Sequence, residues 1–103
     1  MWGKERRAEQ RHDAIIRAHI FSDGGQPQPV RIGDITGSGA MVIVSNPPEE
    51  GEKIELQIEG FGNLKATVAY SGDGVCGVMF MNAIQHRDRL LQWIKQQLLN
   101  AHI

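Results

Sequence analysis

A chain of 103 residues with 41% hydrophobic composition carries apolar material for one modest core and too little for two domains with a catalytic cleft between them. Its 11 basic and 12 acidic side chains give a formal charge of -1, which excludes the broad positive field that draws a protein onto DNA or an anionic membrane. Any anion binding must be local.

Residues 1–13 are mostly charged or polar, with Lys4, Arg6, Arg7 and Arg11 set against Glu5, Glu9 and Asp13. They read as a flexible arm without a core-facing stripe. Met1-Trp2-Gly3-Lys4-Glu5-Arg6-Arg7 has no apolar region of the signal-peptide kind, and no later stretch approaches the ~20 apolar residues of a membrane span. With the single Cys76 unable to form an internal disulfide, a reducing cytoplasm is the expected setting.

Residues 14–103 form the expected domain. Short segments of strand character run from Ala14 to Phe21, Val30 to Ile35, Ala40 to Val44, Lys53 to Ile58, Leu64 to Tyr70 and Val75 to Phe80. The breaks between them, such as Gly37-Ser38-Gly39, Asn46-Pro47-Pro48 and Ser71-Gly72-Asp73-Gly74, are rich in residues that tolerate positive φ or fix a bend. Alternation is clearest in Ile54-Glu55-Leu56-Gln57-Ile58, where three apolar residues share one face. Short strands joined by tight connections predict a mainly β antiparallel barrel or sandwich. Cys76 falls in the apolar run Val75-Cys76-Gly77-Val78-Met79-Phe80, where a thiol serves as a small hydrophobe.

From Ile84 onward the period changes. Leu91, Ile94 and Leu98 recur at helical spacing with Leu90 beside them, while Arg87, Gln92, Lys95 and Gln96 face water. Asn82 is placed to cap this helix, and its stripe must be buried, most simply across one end of the barrel. Trp93 and Leu99 flank the stripe.

Two short motifs carry chemistry. Arg7 and Arg11 form R-x-x-x-R in the arm, with Arg6 directly before it, and Asp34-Ile35-Thr36-Gly37-Ser38-Gly39 opens the turn between the second and third strands. Each alone is ordinary, since solvated arginines and Gly-rich turns occur in any chain. In this order, before and within a small six-segment β domain, they resemble the PilZ family, whose signature is R-x-x-x-R followed by [D/N]-x-S-x-x-G. Arg7 and Arg11 match the first motif and Asp34 and Gly39 the second, while Thr36 stands where the family has Ser, keeping the hydroxyl and adding a methyl.

The resemblance covers nearly the whole chain and implies a six-stranded antiparallel β-barrel with a C-terminal α-helix. It also implies a ligand, cyclic di-GMP, bound by Arg6, Arg7, Arg11, Asp34, Thr36 and Gly39. In the family a basic residue at the Arg6 position goes with an intercalated ligand dimer. The ligand's chemistry fits these residue types. Guanine offers O6 and N7 to a planar guanidinium. Its N1–H and N2–H2 groups can be accepted by a carboxylate such as Asp34. Phosphates suit a second arginine, and glycine lets backbone approach closely. The division of labour between Arg7 and Arg11 stays open.

An enzyme is disfavoured. His12, His19, His86 and His102 are scattered, without the spacing of a metal site, and no nucleophile elbow or Walker loop is present. The expected function is therefore a cyclic di-GMP sensor that orders its arm on binding and signals in trans to a downstream effector protein. It is expected to be a monomer or weak homodimer with no further cofactor, no DNA and no membrane insertion. The rival is a barrel of the same fold that acts as a protein-interaction adaptor without the nucleotide, a reading to which Thr36 points.

Overall fold

The computed structural model describes residues 12–22 and 25–101, and side chains within residues 16–22 and 25–97. The elements are β1 (His12–Ser22), β2 (Gln28–Ile35), β3 (Gly39–Ile43), β4 (Lys53–Ile58), β5 (Gly62–Gly72), β6 (Val75–Phe80) and α1 (Ala83–Ala101). The strands pair antiparallel in the order β1-β2-β3-β6-β5-β4, and β4 returns to β1, closing a barrel. Among the described residues, closure leaves no open sheet edge.

Alternation decides what fills the barrel. Directly opposed residues share a face, so Ala18, Val30 and Ile58, in register across β1, β2 and β4, all point inward. Val42, Cys76, Val68 and Val78 continue this lining through β3, β6 and β5. Most of it is aliphatic and β-branched, the chemistry that packs well on a pleated surface. Cys76 is fully buried there, and burial pushes its thiol up to about 11.

β1 begins at His12, two residues inside the stretch expected as arm. His12 and Asp13 pair with Ile35 and Asp34 beyond an irregularity in the register before Ile16. Backbone pairing needs no apolar side chain, so polarity did not mark this start. The other strands lie within two residues of the expected bounds.

α1 closes one end of the barrel. Leu90 and Ile94 are buried in the core cluster, with Leu91 and Trp93 packed against it. Trp93 meets Phe61 of the β4–β5 connection at 5.6 Å between ring centroids, and the Arg89 guanidinium lies 4.5 Å over the same Phe61 ring. Arg87, Gln92, Lys95 and Gln96 are exposed. Ile84, at the start of the helix, is 90% exposed, while its neighbour Ala83 packs against the core. Asn82 sits directly before α1 in a left-handed conformation, φ 57°, with its carbonyl accepting the Gln85 N–H at 3.0 Å. Asn tolerates that region better than most residues, so it turns the chain from β6 into the helix. Among the described residues no helix is long and apolar enough to cross a membrane.

Candidate functional site

The second motif is positioned by a bulge. In β2, Ile32 is opposite Val42 of β3, but the next partner pair is Asp34 with Met41, so Gly33 is an extra residue. Were Gly33 paired in the ladder like its neighbours, Ile32 and Asp34 would share the inner face, because side chains alternate with a period of two. With Gly33 bulged, Ile35 returns to the core opposite Ala40, and Asp34 takes the outward register beside Met41. Asp34 is only 4% exposed, so the carboxylate is buried on the outer side of the barrel wall. On its other side it is in register with Asp13 of β1.

The turn that follows is held by one hydroxyl. Thr36 Oγ1 accepts the backbone N–H of Ser38 at 3.1 Å and that of Gly39 at 3.1 Å. These bonds use both acceptor positions of a hydroxyl, leaving its proton to donate. The Gly39 carbonyl and the Ser38 Oγ are each 3.3 Å away. Thr36 N–H also donates to the Gly39 carbonyl at 2.8 Å, and Phe80 N–H to the Ser38 carbonyl at 2.9 Å, tying the turn to the end of β6. The hydroxyl thus shapes the turn before it meets any ligand.

The two glycines of the motif have packing reasons of their own. A Cβ on Gly39 would collide with the carbonyl oxygen of Val78, so glycine is what lets β3 lie against β6 there. A Cβ on Gly37 would lie 3.3 Å from Arg87 Cγ and 3.5 Å from Leu91 Cδ2 of α1. Gly37 therefore faces the helix. The structure brings Asp34, Thr36 and Gly39 into one short segment at the helix-covered end of the barrel. Arg6, Arg7 and Arg11 lie outside the described residues.

Sequence reasoning missed Arg87 and Met41 as neighbours of this segment. Arg87 was expected only to face water, and its stem lies against Gly37. No local pattern links residues fifty positions apart. Met41 could have been found only by placing the bulge at Gly33. Among the described residues no group of three or more His, Cys, Asp or Glu side chains is placed to hold a metal ion.

Comparison with known proteins follows the same architecture. The sequence profile of the PilZ domain family matches residues 5–96. The PilZ domain of CeSA from a cellulose-synthesising bacterium superposes with a TM-score of 0.70 at 18% identity, covering 85% of this chain and 97% of that one. The inhibitor of motility MotI/DgrA of Bacillus subtilis gives 0.69 at 21% identity over 92% of this chain, which spans 52% of that protein. The PilZ domain of YcgR from Escherichia coli, solved with c-di-GMP, gives 0.67 at 13% identity, covering 96% of this chain and 98% of that one. No curated protein matches the sequence.

Proposed function

The chain belongs to the PilZ domain family, and from that premise we propose that it is a cyclic di-GMP receptor, a binding domain without catalytic chemistry, that signals in trans to a partner protein. Asp34 carries the reading. The Gly33 bulge takes it out of the core register and places it on the outer wall, immediately before the turn held by Thr36. A carboxylate there accepts from the N1–H and N2–H2 edge of a guanine, and low exposure strengthens such a bond relative to water. Arg7 and Arg11 supply the complementary donors to O6, N7 and phosphate, with Arg6 as a further phosphate contact. The ligand then bridges arm and barrel, so binding draws the residues before β1 over the wall and creates the surface that an effector recognises. A cytoplasmic setting fits the soluble second messenger.

The adaptor reading is favoured by one specific finding. The Thr36 hydroxyl and Gly39 both have structural roles that require no nucleotide. Calorimetric titration with cyclic di-GMP separates the two readings. The receptor reading expects saturable binding, weakened about tenfold or more in Arg7→Ala and Arg11→Ala, since a hydrogen bond to a charged group contributes ~1.5–3 kcal/mol. Absence of binding at high micromolar ligand would refute the receptor reading and favour the adaptor.

A further inference from the structure

The outer face of β1, β2 and β3 carries two arginines that the Asp34 segment does not use. Arg17 on β1 is directly opposite Arg31 on β2. Their neighbours Ala18, Val30 and Ile32 are buried, so alternation sends both arginines outward, and both are exposed. His19, opposite Pro29, is on the same side, and Ile43, 46% exposed, is opposite Arg31 on β3. Arg17, His19, Arg31, Ile43 and Ser45 line a groove of about 600 Å³. It extends from Arg31 toward Pro29 and Gly74, away from the Thr36–Gly39 turn.

Like charges directly opposite on paired strands oppose the pairing. Among the described residues, neither guanidinium is matched by a carboxylate. A single carboxylate between them would offset one positive charge of the two. A phosphoryl group carries close to two negative charges near neutral pH and three accepting oxygens, enough for both guanidinium forks at once. The groove is within the ~300–1,000 Å³ of small-molecule sites, so more than the phosphoryl group fits. Ile43 and Pro29 give the remainder an apolar wall.

We propose that this groove is a second anion site, separate from Asp34, in which Arg17 and Arg31 clamp the phosphoryl group of a phosphorylated molecule beside His19 and Ile43. The probe is inorganic pyrophosphate, titrated into the full chain at constant ionic strength and followed by amide NMR. Saturable shifts at Arg17, His19 and Arg31 are expected, with affinity reduced about tenfold or more in Arg17→Gln and in Arg31→Gln. Both side chains are exposed, and thermal melts check that the variants fold. A second arm measures co-sedimentation with vesicles containing phosphatidic acid, whose headgroup is a phosphomonoester, against phosphatidylcholine vesicles. Saturation by pyrophosphate supports the site and assigns its ligand to solution. Arginine-dependent binding to phosphatidic acid vesicles alone supports it with a lipid headgroup as the source. Absence of saturable binding in both arms, or binding that survives in the Arg17→Gln/Arg31→Gln double variant, overturns it. Neither arm involves cyclic di-GMP or Asp34, so failure here is distinguishable from failure of the receptor reading.

Discussion

Replacing Thr36 by valine preserves the branched shape of the side chain and removes its hydroxyl, so the change isolates the oxygen that holds the β2–β3 turn. Two backbone donors lose their acceptor, Ser38 N–H and Gly39 N–H, each at 3.1 Å. Gly39 is buried and its N–H has no route to water, whereas Ser38 is partly exposed and can recover one. An unsatisfied buried donor costs about 1–3 kcal/mol, and the Ser38 donor adds only a fraction of that. The surviving bond from Thr36 N–H to the Gly39 carbonyl, 2.8 Å, keeps the turn from opening entirely. For a domain near 100 residues each kcal/mol moves the melting temperature by ~4–8 °C, so Thr36→Val should melt at least several degrees below the wild type. Thr36→Ser retains the oxygen and loses one methyl, a change of no more than ~0.8 kcal/mol. Urea denaturation followed by circular dichroism gives both values. A Thr36→Val protein within about 0.5 kcal/mol of the wild type, the range of ordinary surface substitutions, would refute the assignment of this hydroxyl to the turn.

The two close-packed glycines should respond unequally. Gly39→Ala drives a methyl into the Val78 carbonyl and must part β3 from β6, at about 1–3 kcal/mol or more, while Gly77→Ala meets the Tyr70 ring, which can swing aside at lower cost. Equal melting temperatures for the two variants would contradict that difference. Burial pushes the Cys76 thiol up to about 11, so its folded pKa lies above its unfolded one. Its contribution to stability is complete below the ordinary thiol range and is lost as the pH rises toward about 11. Over that window the stability of the wild type should fall more steeply with pH than that of Cys76→Ala, and parallel slopes would place the thiol in contact with water.

Where burial is one-sided and regular, the sequence states it openly. The alternation of Ile54-Glu55-Leu56-Gln57-Ile58 reappears as β4 with every isoleucine and leucine inside, and Leu90 and Ile94 lie in the core as their helical spacing required. The orientation of Asp34 was not legible in this way. It depends on Gly33 being an extra residue in β2, and a bulge is defined by the partner strand's register rather than by its own residues. The chemistry of Asp34, Thr36 and Gly39 as a set was visible as a motif. Their mechanical roles were not, because the Val78 carbonyl and the stems of Arg87 and Leu91 that constrain the glycines come from β6 and α1, about forty to fifty residues downstream.

The most direct test of the account is an amide NMR titration of the isotopically labelled chain with cyclic di-GMP, repeated on Asp34→Ala. The account predicts saturable shifts at Asp34, through the turn from Thr36 to Gly39, and at Arg7 and Arg11, all lost or much weakened when the carboxylate is removed. Shifts confined to other parts of the barrel, or a response unchanged in Asp34→Ala, would contradict the claim that the nucleotide meets the outer wall at Asp34.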